Sequence, residues 1–135
     1  MRVVLDTNVL VSALMTPGGV CSRILRLVYD EALQVCIGER IIEEYESVLS
    51  RPRFRLDRED IDETIEMIRA YAETVTPMPL PVELPDPADL SFLEVAAEAD
   101  AVVVTGNKRH FPAKARHGVK VLAPAEFIEL LRGRS

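Results

Sequence analysis

Two short apolar runs stand out in the pattern of hydrophobic and polar positions along the chain. The first, residues 3–5, stops abruptly at Asp6, and the second, within residues 101–105, ends at Gly106 and Asn107. Runs of this kind are typical of strands that are buried on both faces of a parallel sheet. Weaker signals predict three more short strands, at residues 33–37, 74–76 and 119–122.

Between these strands the apolar positions recur every three or four residues, which predicts amphipathic helices. The predicted helices cover residues 8–15, 20–29, 39–50, 58–73, 89–99 and 124–131. Five prolines in residues 77–87 predict a stiff, extended connection over the surface. Strands that alternate with helices of this length predict a parallel sheet with right-handed crossovers and helices on both faces.

The composition fits one compact domain covering residues 1–135, because 48% of the residues are hydrophobic. No apolar stretch approaches the roughly 18 to 20 residues that span a bilayer, and the first residues do not follow the pattern of a signal peptide. A cytoplasmic protein is therefore expected. Cys21 and Cys36 lack the spacing of a zinc site or a disulfide framework, and both are expected to be small buried residues.

The net charge of −6 argues against a protein that holds nucleic acid by general electrostatic attraction. The charges are unevenly distributed, however. Residues 101–125 contain no acid and five lysines or arginines, and residues 51–58 contain four arginines and one acid. These two basic segments are compatible with contacts to a phosphate backbone, although each single cation is more simply explained as solvated surface.

Several acids are predicted at the edge of the sheet where the carboxyl ends of the strands meet, which is where open α/β sheets bind ligands. Asp6 ends the first strand, and the helices that begin near Glu39 and Asp89 start at or near the same edge. Glu44 lies on the apolar margin of its helix, where an acid needs an explanation, although a partly exposed helix acid is the simpler interpretation. Neighbouring carboxylates raise one another's pKa values unless a cation neutralises them.

A hard divalent ion such as Mg²⁺ or Mn²⁺ suits a cluster of carboxylate oxygens. The corresponding chemistry is metal-assisted hydrolysis of a phosphodiester by a water whose pKa the metal lowers. No histidine or cysteine nucleophile is needed, and the serines show no nucleophile-elbow pattern. His110 could contact a phosphate, but a surface or packed position is the favoured interpretation.

Four stretches, in order along the chain, carry a family resemblance. They are VVLDTNVL with Asp6, IIEEYESVL with Glu44, DPADLSFLE with Asp89, and ADAVVVTGNK with Asn107. Together they resemble a PIN domain, and more narrowly the branch that contains the toxin components of toxin–antitoxin pairs, the VapC-like ribonucleases. The resemblance spans nearly the whole chain.

This resemblance implies a three-layer α/β/α sandwich around a parallel sheet of four to five strands. It also implies an endoribonuclease that depends on Mg²⁺ or Mn²⁺, acts on RNA, is often dimeric and pairs with a small antitoxin protein. Asp6, Glu44 and Asp89 would be both the catalytic residues and the metal ligands. Asn107 stands where the family pattern usually has a fourth aspartate, and its amide oxygen can bind a metal without adding charge.

Five more residues are expected to support the metal ligands or to contact the substrate: Thr7, Asn8, Asp86, Lys108 and Arg109. Asn8 is as readily a helix cap as a hydrogen-bond partner of the site. Asp86 is a turn former by its sequence context, or a carboxylate that compensates for Asn107. The two cations would steer the RNA.

Two alternatives remain open from the sequence. One is a PIN-like module with weakened or no catalysis that binds RNA or a protein partner, which Asn107 makes credible. The other is a metal-dependent phosphohydrolase that acts on a small phosphate ester. The usual Asp-x-Asp start of haloacid-dehalogenase-like phosphatases is absent, however, because the third residue of that motif is Asn8 here.

Overall fold

A computed structural model of the chain describes residues 1–133. Five parallel strands form its sheet, in the order β3-β2-β1-β4-β5. The strands are β1 (Arg2–Leu5), β2 (Gln34–Ile37), β3 (Glu73–Thr74), β4 (Val102–Val104) and β5 (Val121–Leu122). The predicted parallel sheet is therefore confirmed. The strand order reverses between β1 and β4, and ligands of open α/β sheets bind beyond the strand ends at such a switch point.

Within residues 1–133, six helices complete the fold. They are α1 (Thr7–Met15), α2 (Val20–Tyr29), α3 (Glu39–Leu49), α4 (Arg58–Tyr71), α5 (Leu90–Ala99) and α6 (Pro124–Arg132). Helix α5 packs across β1, β2 and β4, while α1, α2, α3 and α4 pack against one another. The result is the predicted three-layer α/β/α sandwich. Each predicted helix agrees with the observed one to within two residues at either end.

Residues 1–133 also contain four short 3₁₀ turns that were not predicted, because a single turn leaves no periodic apolar pattern in the sequence. They are Pro52–Phe54, Pro87–Asp89, Lys108–His110 and Ala113–Ala115. The turn Pro87–Asp89 follows the proline-rich connection, and the turn Lys108–His110 follows β4. Both turns affect where the candidate site residues lie. The connection itself forms no helix or strand between residues 75 and 86. Glu94 of α5 anchors it by accepting a 2.9 Å hydrogen bond from Leu80 N.

The end of β1 is held against α3 by a buried tyrosine. The Tyr45 hydroxyl donates a hydrogen bond of 2.6 Å to the carbonyl oxygen of Leu5, and its ring packs against Phe92 with centroids 6.1 Å apart. All three side chains are almost completely buried. This contact fixes the position of α3 relative to the strand end that carries Asp6.

The prediction that both cysteines are buried is right for Cys36 and wrong for Cys21. Cys36 is completely buried on β2, and its thiol lies 3.8 Å from Glu73 Oε2. Cys21 is half-buried, because it lies in the first turn of α2, at the margin of the core. In residues 1–133 no single helix is long and apolar enough to cross a membrane. Helices α1 and α2 have the necessary length and composition only when they are taken together, and the chain bends by 103° between them.

Candidate metal centre

Asp6 lies at the carboxyl end of the central strand with only 5% of its surface exposed. Its backbone N–H donates to the carbonyl of Val104 at 2.9 Å, so the sheet fixes its position. Thr105, the residue after β4, donates a 2.7 Å hydrogen bond from its hydroxyl to Asp6 Oδ2. Burial raises the pKa of Asp6, and the hydrogen bond from Thr105 offsets only part of that rise. The central strand thus ends in a buried carboxylate whose negative charge the surrounding hydrogen bonds stabilise only in part.

Asp89 reaches the same edge through the 3₁₀ turn Pro87–Asp89, which joins the proline-rich connection to α5. Asp86 caps this turn by accepting a 3.0 Å hydrogen bond from Ala88 N. Asp89 is 8% exposed, and its Oδ2 lies 3.0 Å from His110 Nδ1. Burial, followed by the negative charge of Asp6, raises the pKa of Asp89 to about 6. The two aspartates are therefore buried neighbours that repel each other.

Glu44 approaches these acids from α3. It is half-buried, and its negative charge is one of those that raise the pKa of Asp89. A cavity of about 380 Å³ lies between α3 and the turn that carries Asp89. Its lining consists of Arg40, Glu43, Glu44, Ser47, Pro87, Ala88, Leu90 and Ser91. The predicted acids Asp6, Glu44 and Asp89 are therefore brought to one region by three separate segments of the chain.

Asn107 and His110 occupy the turn after β4 and contact each other. Asn107 Nδ2 lies 3.0 Å from His110 Nε2, and the backbone N–H of Asn107 donates to Thr105 Oγ1 at 3.0 Å. The other ring nitrogen of His110, Nδ1, lies 3.0 Å from Asp89 Oδ2. The sequence favoured a surface or packed position for His110. It is half-exposed and stands between two candidate site residues.

Two polar side chains follow β1 directly. Asn8 Oδ1 accepts a 3.0 Å hydrogen bond from Gly106 N, and Asn8 Nδ2 donates to Asp6 Oδ2 at 3.4 Å. Asn8 therefore connects the turn after β1 with the turn after β4. It is the second residue of α1, whose N-terminal flanking residue is Asp6, so the helix-cap interpretation of Asn8 is wrong. The hydroxyl of Thr7 is buried without a hydrogen-bond partner.

The predicted RNA-steering cations differ in their surroundings. Lys108 Nζ lies 2.9 Å from Glu126 Oε1 at the start of α6, so its charge is partly compensated within the protein. Arg109 is exposed. Arg40, which the sequence reasoning missed, is exposed in the first turn of α3 and lines the cavity that contains Glu44.

The second basic segment lies beyond the carboxyl end of α3. Within it, Arg58 forms an ion pair of 2.7 Å with Asp62, and the guanidinium of Arg53 lies 4.8 Å from the centre of the Phe54 ring. Since α3 has 11 residues, its two ends are about 16 Å apart. This segment is therefore about a helix length away from the start of α3, where Arg40 lies.

The oxygen atoms at the carboxyl edge fit a divalent cation that is shared with a substrate. Thr7 Oγ1 is buried here without a hydrogen-bond partner, and Asp89 Oδ2 is buried with His110 Nδ1 3.0 Å away. Within residues 1–133, no three His, Cys, Asp or Glu side chains are arranged to hold a metal alone. Mg²⁺ commonly takes one or two carboxylates from a protein and completes its shell with waters and substrate phosphates.

A family model described as the PIN domain matches residues 2–109. The chain belongs to the PIN domain family. PIN domains are generally nucleases, and these nucleases generally use divalent metals. The family therefore agrees with an oxygen-rich site at the carboxyl edge of the sheet, and the match covers β1 through the turn that holds Asn107.

One curated relative of this PIN domain is the uncharacterized protein MJ1680 of Methanocaldococcus jannaschii. The two are 28% identical over 141 residues, which cover 96% of this chain and 90% of that protein. The name of this relative assigns it no activity.

Solved structures show the same fold at low sequence identity. VapBC2 from Rickettsia felis, bound to a DNA fragment from its promoter, has a TM-score of 0.59 at 16% identity, covering 91% of this chain and 98% of that one. A domain of a functionally unknown Methanocaldococcus jannaschii protein has a TM-score of 0.55 at 17% identity, with 89% and 88% covered. PAE2754 from Pyrobaculum aerophilum has a TM-score of 0.54 at 14% identity, with 97% and 89% covered.

Proposed function

We propose that this PIN domain is a divalent-metal-dependent endoribonuclease that hydrolyses phosphodiester bonds of RNA. The observation that carries the proposal is the pair Asp6 and Asp89, two buried carboxylates that repel each other at the carboxyl edge of the sheet. Burying two like charges costs stability, and strongly perturbed carboxylates in such a place are typical of functional sites. Membership of a nuclease family supports phosphodiester hydrolysis as the reaction.

In this proposal, Asp6, Glu44 and Asp89 hold Mg²⁺ or Mn²⁺, and the side-chain oxygen of Asn107 completes the donor set. When bound, the ion supplies positive charge that stabilises the transition state at the phosphate and favours ionisation of an attacking water. Glu44 reaches the ion from the cavity side, since it lines the space between α3 and the turn of Asp89.

The surrounding residues position these ligands. Thr105 holds Asp6 through a 2.7 Å hydrogen bond, and Asn8 keeps the turns after β1 and β4 together. Asp86 adds negative charge close to Asp6 and Asp89, because it raises the pKa of both. The unpaired hydroxyl of Thr7 offers a further oxygen to the ion, to a water or to the substrate.

The substrate contacts are assigned to cations outside the acid pair. Arg40 and Arg109 are both exposed near the site, whereas Lys108 is partly compensated by Glu126. The arginines of residues 51–58 would extend the path of the RNA. Replacing Arg40 or Arg109 by glutamine should lower the salt dependence of RNA binding, because each lost phosphate contact reduces the number of released counterions. An unchanged salt slope in both variants would remove these residues from the RNA path.

A small antitoxin protein is the proposed partner, and the PIN domain is proposed to act as the toxin of that pair, as a homodimer in the cytoplasm. The likeness in fold to VapBC2 supports this assignment. Co-expression with the product of an adjacent small open reading frame, followed by co-purification, tests the partner.

Analytical ultracentrifugation of the purified chain tests the dimer, and a monomer at all concentrations would contradict it.

The decisive experiment measures cleavage of a fluorogenic RNA with Mn²⁺ and with EDTA. Wild-type protein should cleave only with the metal, and Asp6→Asn, Glu44→Gln and Asp89→Asn should each lose at least about a hundredfold in rate. Glu46→Gln is the matched control, because Glu46 lies on the same helix but pairs with Arg69 at the surface. Cleavage that persists in EDTA, or that survives Asp6→Asn, would contradict the proposal.

A catalytically weakened RNA- or protein-binding module is the second candidate. Two observations favour it: Asn107 brings no charge to the site, and no three His, Cys, Asp or Glu side chains of residues 1–133 are arranged to hold a metal by themselves. This candidate predicts that RNA binding persists in EDTA while cleavage stays at the level of the Asp6→Asn variant. RNA binding that needs the metal, together with cleavage, would exclude it.

A further inference from the structure

A second cavity, of about 520 Å³, lies beside the one that contains Glu44. It is bounded by the first turn of α3, the start of the proline-rich connection and the first turns of α5. Arg40, Leu90 and Ser91 line both cavities, so the two adjoin each other. Arg40 and Glu44 are four residues apart on α3 and therefore lie on one face of the helix, about 6 Å apart along its axis. A group bound in the second cavity is thus a neighbour of the candidate metal centre.

The lining of the second cavity combines apolar walls with a few polar groups. Pro77 and Pro79 of the connection contribute to one wall, and Leu90 and Val95 of α5 contribute to the opposite one. The volume lies within the roughly 300–1,000 Å³ that is typical of sites for small ligands. Unstacked nucleobases are commonly held between apolar side chains and read along their pairing edges. The second cavity therefore suits one nucleotide of a single strand.

The proline-rich connection is poorly suited to hold a peptide beside this cavity. In residues 77–81 the prolines, which have no N–H, alternate with Met78 and Leu80. Met78 N donates to Glu98 Oε1 at 3.3 Å, and Leu80 N donates to Glu94 Oε2 at 2.9 Å. A peptide that docks along an extended segment depends on free main-chain donors as well as acceptors. Since residues 77–81 offer no free N–H, the cavity favours a base over a peptide segment.

Glu39 is the acid of the lining that is free to read a base. It is exposed in the first turn of α3, and within residues 1–133 its carboxylate has no hydrogen bond or ion pair. An ionised carboxylate has two oxygens that only accept hydrogen bonds. Guanine has two adjacent N–H donors on its pairing edge and can donate to both oxygens, whereas each of the other three bases places its donor beside an acceptor. Glu94, the other acid, already accepts from Leu80 N.

We propose that the second cavity is a base-recognition subsite, in which Glu39 reads the guanine of a nucleotide next to the scissile phosphate. The subsite rests on the proposed function, because that function identifies RNA as the source of the base. Arg40 stands where the two cavities adjoin, so it contacts the phosphate that links this guanine to the rest of the strand. The hydroxyls of Thr76 and Ser91 offer hydrogen bonds to the ribose. The nuclease therefore cuts RNA with a preference for guanine beside the cut.

Nuclear magnetic resonance of the ¹⁵N-labelled full chain in EDTA tests the subsite without catalysis. Guanosine monophosphate should shift the amide signals of Glu39, Arg40 and Ser91. The monophosphates of adenosine, cytidine and uridine should bind at least about fivefold more weakly, because they lack the second donor. Glu39→Gln should weaken the binding of guanosine monophosphate about tenfold and remove this preference. Glu46→Gln is the matched control, since Glu46 lies on the same helix outside the cavity and pairs with Arg69.

A second variant and a cleavage assay test the same subsite independently. Thr76→Phe replaces an exposed side chain of the lining with a larger one, so it should weaken the binding of guanosine monophosphate about tenfold and leave urea unfolding unchanged. Sequencing of the fragments produced from a random RNA pool with Mn²⁺ should show guanine enriched at least about fivefold at one position beside the cut. This enrichment should disappear in Glu39→Gln and persist in Glu46→Gln.

The outcomes separate the subsite from the proposed function. Metal-dependent cleavage without base preference, with all four monophosphates bound equally, would overturn the subsite and leave the nuclease proposal intact. Binding of guanosine monophosphate that depends on Glu39, in a chain that cleaves no RNA, would support the subsite and contradict the nuclease proposal. If no monophosphate shifts these signals but the co-purified partner protein does, the cavity is a protein-binding site and the inference is wrong.

Discussion

Replacing Asp89 by asparagine should stabilise the metal-free protein at neutral pH while removing a proposed metal ligand. The pKa of Asp89 rises from its ordinary value of 3.8 to about 6 in the folded protein, chiefly because the side chain is buried. The folded state therefore holds this proton to higher pH than the unfolded state does. It follows that the free energy of unfolding falls as the pH rises from about 4 to about 6 and stays low above that window.

The size of the effect follows from the same shift. A rise from 3.8 to about 6 corresponds to a destabilisation of about 3 kcal/mol at pH 8, where Asp89 is ionised in both states. Asparagine resembles the uncharged aspartic acid in shape, so Asp89→Asn should recover up to about 3 kcal/mol at pH 8. At pH 5 the wild-type protein has already regained about half of this stability by binding the proton, so the advantage of the variant should shrink to about half.

Urea unfolding in EDTA, followed by circular dichroism at pH 8 and pH 5, measures both quantities. Asp57→Asn is the control, because Asp57 is an exposed helix cap that accepts a 3.1 Å hydrogen bond from Glu59 N, and asparagine caps equally well. Its free energy of unfolding should change by less than about 0.5 kcal/mol. An Asp89→Asn variant that is no more stable than wild type at pH 8, or equally stabilised at both pH values, would refute the reasoning.

Three other substitutions test separate parts of the site. Asn107→Asp should tighten Mn²⁺ binding about tenfold in calorimetry, because it adds the negative charge that the amide lacks. An unchanged affinity would mean that the amide oxygen is sufficient for metal binding. Thr105→Val removes the hydrogen bond to Asp6 and should cost about 1 to 3 kcal/mol in urea unfolding at pH 8, and no loss would mean that the bond is not needed. Tyr45→Phe removes the 2.6 Å bond to Leu5 and should lower the melting temperature by roughly 3 °C in calorimetry; an unchanged temperature would show that packing alone fixes α3.

The fold was largely predictable because its signals are local. The apolar run that ends at Asp6 identifies a buried strand by itself, and the periodic positions of α3 place Glu44 at the margin of an apolar face. Alternation of strands with helices then restricts the connections to right-handed crossovers. From these facts alone, Asp6 and the start of α3 are expected at one edge of the sheet.

The remaining parts of the site depend on contacts between distant residues. Asp89 reaches Asp6 through a single 3₁₀ turn after a proline-rich connection, and neither has a periodic signature. Asn8 looks like a helix cap in the sequence, but its side chain binds Gly106, 98 residues further along. In the sequence His110 is a possible phosphate contact, and nothing local connects it with Asp89. Its position beside Asp89 follows only from how the turns pack.

These tertiary contacts explain why stability and metal binding should be linked in this protein. Separate segments, anchored by Thr105 and by the cap at Asp86, hold Asp6 and Asp89 close together against their mutual repulsion. A cation that binds there relieves this repulsion only in the folded state, because the unfolded chain does not bring the two carboxylates together. At ion concentrations above the dissociation constant, binding should therefore raise the free energy of unfolding in proportion to the logarithm of the ion concentration. The same ion should leave the free energy of unfolding of Asp89→Asn nearly unchanged. Removing one of the two charges and adding a cation thus relieve the same repulsion between Asp6 and Asp89.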